Sequence, residues 1–123
     1  MAVHNDYGRW GEQKAAEYLQ QKGYTIVHRD WKSGRRDLDI TALTPDGGTL
    51  AIVEVKTRSG TDVTRPEEAV DWRKMRSIAF AADAYLRRYQ MQCDVRFDIV
   101  TVVGNGEEAR VDHIENAFVP PMR

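Results

Sequence analysis

Arg36-Asp37-Leu38-Asp39-Ile40, then Pro45-Asp46-Gly47-Gly48, then Ile52-Val53-Glu54-Val55-Lys56: these three stretches spell two strands and the turn between them. Leu38 to Leu43 and Thr49 to Thr57 have strand composition, and Pro45 to Gly48 has turn chemistry, so the two strands form a hairpin. Strand alternation sets Asp37 and Asp39 on one face and Leu38 and Ile40 on the other. In the second strand Glu54 and Lys56 share a face, while Val53 and Val55 point away. Acids are poor strand formers and repel each other on one face, so positive charge belongs beside Asp37 and Asp39. Arg35 and Arg36 are one source of it, and a divalent cation is another. Glu54 and Lys56 leave a similar choice between a structural ion pair and a shared site, because charge buried on a central strand must be paired.

Counting outward from the turn places Asp39 beside Glu54 to within a register step. Two carboxylates and the Lys56 ammonium then converge. Hard oxygen donors in that arrangement suit Mg²⁺ or Mn²⁺, which keep several waters. Phosphodiester hydrolysis uses such a set. A metal lowers the pKa of its bound water and polarises the phosphoryl oxygen. Lys56 then orients the attacking water and stabilises the developing charge.

Before the hairpin, Gly8 to Gln21 reads as a helix with Ala15, Ala16 and Leu19 on one stripe and Gly23 at its C-terminal cap. Glu12 falls within that apolar stripe, with Gly8 one turn earlier leaving open space beside it. Either Glu12 faces a site, or it reaches water from a frayed first turn. Tyr24 to Val27 is a short strand, and His28 to Arg36 reads as a basic loop containing Trp31. After the hairpin, Thr64 and Glu67 form a capping box that opens a long amphipathic helix running through Tyr89. Val95 to Val103 and Ala109 to Ile114 complete the pattern as two strands. Helix, three strands, helix, two strands make an α/β domain over residues 1–123, with one mixed sheet of about five strands flanked by helices.

The chain has 123 residues, 41% hydrophobic and 30% charged, the balance of one folded domain. Its single cysteine, Cys93, excludes a disulfide framework and every multi-cysteine zinc site. The opening residues lack the apolar run of a secretory signal, and nothing approaches a membrane span, so a cytoplasmic location away from membranes is expected. The formal charge is −1, so the total does not announce a nucleic-acid binder, although a local basic patch is enough for one. Arg58, Arg73 and Lys74 follow Lys56 closely and are candidates for a phosphate track, as are Arg35 and Arg36 in the basic loop. The alternative for both groups is a solvated surface, with Glu67, Glu68 and Asp71 diluting the charge.

Asp39 followed by Glu54-Val55-Lys56 resembles the PD-(D/E)xK nuclease motif. The wider text resembles the bacterial YraN-like family: Gly11-Glu12, Asp37 to Ile40, Val53 to Arg58, Arg96 to Val100 and His113 to Phe118, in order from about Gly8 to Phe118. That resemblance, through archaeal Holliday-junction resolvases and restriction endonucleases, implies a restriction-endonuclease-like core. It implies metal ligation by Asp39, Glu54 and the Val55 carbonyl, with Lys56 as the catalytic lysine and Glu12 as a further acid near the metal. Where the family has Gly-Glu-Ile-Asp, this chain has Arg36-Asp37-Leu38-Asp39, so Asp37 is one methylene shorter and reaches a metal or an arginine differently. The resemblance implies a metal-dependent nuclease acting on DNA, branched or structured DNA by the resolvase analogy, and a homodimer by the same analogy. Two other readings keep the fold without the chemistry: a nucleic-acid-binding module, and an assembly partner in DNA processing.

Overall fold

A computed structural model describes residues 2–58, 70–104 and 106–119, with side chains from Asp6 onward. The elements are α1 (Ala2–Gln21), β1 (Thr25–Ser33), β2 (Arg36–Leu43), β3 (Thr49–Arg58), α2 (Trp72–Arg88), β4 (Asp94–Val103) and β5 (Arg110–Ile114). The five strands form one sheet in chain order. All neighbours are antiparallel except β3 and β4, which run parallel over Thr49↔Asp94 to Arg58↔Val103. A parallel pair needs a crossover, and α2 lies within that connection. The result is the expected α/β architecture, a five-stranded mixed sheet with a helix on each face, consistent with a restriction-endonuclease-like core.

Each face has its own core. Ala15, Ala16 and Leu19 of α1 pack on Ile40, Ala42, Ala51, Val53, Val100 and Val102. Ile78, Ala81, Ala82 and Tyr85 of α2 pack on Leu50, Ile52 and Ile99. Small residues on α1 let its backbone approach the sheet. Gly11 shows how closely: a Cβ there would overlap the Thr57 hydroxyl and lie 3.1 Å from its methyl carbon. Gly23 ends α1 at φ 95°, where glycine carries no Cβ penalty, and the Tyr24 N–H donates back to the Leu19 carbonyl at 3.0 Å.

Two readings from the sequence need correction. His28 to Ser33 is strand, not loop: β1 runs to Ser33 and pairs with β2 down to Ser33↔Arg36, turning at Gly34 with φ 62°. Basic composition hid a second hairpin whose side chains are only partly covered. The long helix does not run unbroken from Thr64, because Asp71 is extended (φ −85°, ψ 178°) and caps α2 by accepting from the Lys74 N–H at 2.9 Å. The Thr64–Glu67 capping box itself lies outside the described residues. Among the described residues, no helix is long and apolar enough to cross a membrane.

Candidate functional site

The β2–β3 ladder pairs Leu43↔Leu50 through Ile40↔Val53 and stops there. At that point β2 also breaks its alternation. Leu38 belongs to the α2-side core and Ile40 to the α1-side core, although two strand residues in step should share a face. This corrects the simple facing of Leu38 with Ile40. Asp39 lies at the break, and its side chain turns into the gap between the strands. There its Oδ2 accepts from the Val55 N–H at 2.8 Å, in place of a β2 carbonyl. A strand residue's N–H and C=O point to the same neighbour, so the Val55 carbonyl opens on the same gap. Across the sheet Asp30 of β1 adopts φ 51°, a left-handed conformation uncommon outside glycine.

Glu54 is the next residue along β3 from the last ladder pair, on the α2 face, and is only 5% exposed. Its Oε2 lies 3.5 Å from the Lys56 Nζ and 3.3 Å from the Lys74 Nζ. Lys74 stands in the first turn of α2, so the Asp71 cap that starts the helix also aims this ammonium at the sheet. Burial works against its charge, yet Glu54 and Asp39 hold its pKa above the ordinary lysine value. Glu12 sits over the opposite face, carried there by the close Gly11–Thr57 approach, with its Oε1 3.4 Å from the Arg29 Nε. Burial raises the Glu12 pKa, opposed by Arg29. Glu12, Asp39, Val55 and Thr57 line a cleft of about 380 Å³ with Gly8, Arg9, Asp30 and Lys32. A Cβ at Gly8 would meet nothing within 4 Å, the open space its place on the stripe foretold.

Asp39 is the most perturbed acid here. Burial first, then the charge of Glu54, pushes it up to about 8, against the pull of the Val55 N–H and Lys74. The folded-state value lies above the unfolded one, so the stability this group contributes is full in acid and is lost as pH rises toward about 8. Asp39→Asn keeps an oxygen for the Val55 N–H and removes the charge. In metal-free buffer it is expected to raise the melting temperature at pH 8 by roughly 5 °C and to change it little near pH 4. Calorimetry at the two pH values checks this, and an equal effect at both would contradict it.

The other residues singled out from the sequence are more dispersed. Asp37 lies at the rim, its Oδ2 3.6 Å from the Lys32 Nζ, so the cation beside it is Lys32 and not Arg35 or Arg36. Arg35 is in the exposed β1–β2 turn, and Arg36 stacks its guanidinium 4.8 Å from the Phe80 ring centre. Arg58 ends β3, and Arg73 is exposed at the start of α2. Sequence reasoning placed Lys74 on a phosphate track and missed it as the partner of Glu54; its place near a helix start carries no signal of that reach. It also missed Arg29, hidden in what read as loop. Among the described residues, no three His, Cys, Asp or Glu side chains lie close enough together to form a metal cage by themselves.

A mixed five-stranded sheet with a carboxylate–lysine cleft where its central hairpin opens defines the class of this α/β protein. The profile of the uncharacterised protein family UPF0102 matches residues 11–102. A UPF0102 protein of Bacteroides thetaiotaomicron is 49% identical over 122 residues, 99% of each chain. One from Porphyromonas gingivalis is 49% identical over 120 residues, covering 96% of this chain and 87% of its own. One from Flavobacterium psychrophilum is 37% identical over 118 residues, 96% of this chain and 98% of its own. The chain belongs to UPF0102, the YraN-like family.

Proposed function

We propose that this protein is a Mg²⁺- or Mn²⁺-dependent nuclease that hydrolyses phosphodiester bonds in DNA. The observation that supports the reading is Asp39 at the point where the β2–β3 ladder opens, bonded to the Val55 N–H and within electrostatic reach of Glu54, whose Oε2 lies 3.5 Å from the Lys56 Nζ. The donor set fits a hard divalent ion: two carboxylates and a carbonyl leave several positions for water, as Mg²⁺ prefers. Asp39, Glu54 and the Val55 carbonyl would hold the ion, with Glu12, and Asp37 from the rim, adding negative charge nearby.

Bound there, a divalent ion would supply an acidified water and a polarised phosphoryl oxygen. The protein's own groups do the rest. Lys56 presents an ammonium to the charge that develops on phosphorus oxygens. Lys74 holds Glu54 in place. Glu12, with its raised pKa, faces the cleft as a proton acceptor. Arg35, Arg36, Arg58 and Arg73 are offered as phosphate contacts outside the cleft.

The test is cleavage of labelled single-stranded, duplex, flapped and four-way-junction DNA, with RNA alongside, in Mn²⁺ or EDTA. Metal-dependent cleavage that disappears in Glu54→Ala is the expected result. Equal cleavage by both proteins would place the activity elsewhere. A second reading, a nucleic-acid-binding or assembly module without cleavage, draws support from the two lysines that already satisfy Glu54. It predicts metal-independent, salt-sensitive binding that survives Glu54→Ala.

A further inference from the structure

The outward face of α2 is unlike an ordinary solvated helix face. Ile78, Ala81, Ala82 and Tyr85 point into the core, so Trp72, Arg73, Arg76 and Phe80 are left on the opposite side. Trp72 is 56% exposed and Phe80 54% exposed. Arginines interleave with them along the helix, and Arg36 lays its guanidinium against Phe80 from β2. Among the described residues of this region two acids are engaged: Asp71 caps the helix, and Asp83 pairs with Arg87 at 3.2 Å. From Trp72 to Phe80 the face spans roughly 12 Å.

We propose that this face is a base-stacking platform for single-stranded DNA. Exposed aromatic rings take unstacked bases, and interleaved arginines neutralise the phosphates between them. Duplex DNA keeps its base faces stacked internally and offers none to Trp72 or Phe80. A second copy of the chain is a poor occupant, because a two-fold contact would bring two copies of this arginine-rich face together. The platform also adjoins Glu54 on the α2 face of the sheet: Lys74, one residue beyond Arg73, reaches Glu54 at 3.3 Å. A strand lying on Trp72 and Arg73 is thereby brought beside Glu54. The choice of DNA rests on the nuclease reading, and the following experiment separates the two.

Binding of a fluorescein-labelled oligothymidylate to the full chain would be followed by anisotropy in EDTA at about 50 mM salt. Trp72→Ala and Phe80→Ala are each expected to weaken binding by about tenfold, the double variant by more, and Phe80→Tyr to restore it. Circular dichroism confirms that the variants fold, as exposed positions allow. Undiminished binding by the double variant overturns the proposal, as does no binding by the wild type, or tighter binding of duplex or of oligouridylate. A wild-type dimer that the double variant dissociates in sedimentation also overturns it, by making the face a self-interface. Loss of cleavage activity in every metal with the binding pattern intact would sink the nuclease reading and leave the platform standing.

Discussion

Lys56→Ala is expected to reduce metal-dependent cleavage by about 10²–10³-fold while leaving the protein folded. The magnitude is that of removing one preorganised cation or donor from a transition state. The folding expectation comes from the geometry around Glu54. Its Oε2 has two ammonium partners, at 3.5 Å and 3.3 Å, and deleting Lys56 leaves Lys74 in place. The buried carboxylate therefore keeps a counter-charge, and the large penalty for an orphaned charge does not arise. Glu54→Ala instead strands both lysines. Steady-state cleavage with melting curves on the same preparations distinguishes lost chemistry from lost structure. A Lys56→Ala protein that cuts at the wild-type rate would remove this lysine from the mechanism. One that fails to melt cooperatively would show that Lys74 cannot hold Glu54 alone.

Asp98→Ala is expected to be the most destabilising of these substitutions, by about 3–5 kcal/mol, and to leave little folded protein at physiological temperature. Asp98 is fully buried and serves four donors. Arg96 grips it with Nε at 2.9 Å and Nη2 at 2.7 Å; His113 Nε2 lies at 2.8 Å and the Asn116 N–H at 3.0 Å. Arg96 also donates to the Tyr24 hydroxyl at 2.5 Å, so the network ties β4 to β5 and to the end of α1. Removing the carboxylate leaves the His113 imidazole without its acceptor and Arg96 with only the Tyr24 hydroxyl and the more exposed Glu115, 3.4 Å away. Burial would raise the Asp98 pKa, but His113, Arg96 and the Asn116 N–H overcome that and hold it below the ordinary aspartate value of 3.8. The stabilisation is therefore present above that value and is lost as pH falls below it. Chemical denaturation of wild type, Asp98→Ala and Asp98→Asn at neutral pH gives the comparison. A loss under about 1 kcal/mol in Asp98→Ala would mean that the network is dispensable.

The sequence alone carried the elements whose periodicity is local. The α1 stripe, the Asp46-Gly47 hairpin and the strand core Ile52 to Val55 follow from spacing and turn chemistry, and the helical and ladder bonds formed as those patterns require. Glu12, Asp39, Glu54 and Lys56 were legible for the same reason, since each sets polar chemistry where a regular element should be apolar. Arg96 and Asp98 sit two residues apart on β4, a local spacing, whereas their partners His113 and Asn116 arrive from the far side of a turn.

What sequence could not decide was how elements distant in the chain meet. No local signal tells that β1 extends through Lys32 to close the cleft, because its pairing energy comes from β2 and not from its own composition. Nor does spacing show that β2 and β3 part company after Ile40↔Val53, which is what frees the Val55 N–H for Asp39. Lys74 is farther still from Glu54 in sequence, and only the seating of α2 on the sheet brings the two within 3.3 Å. Residue types and their local period were enough to choose the fold and name the acids. The electrostatic state of those acids depends on burial and on through-space charge, and both exist only once the chain has folded.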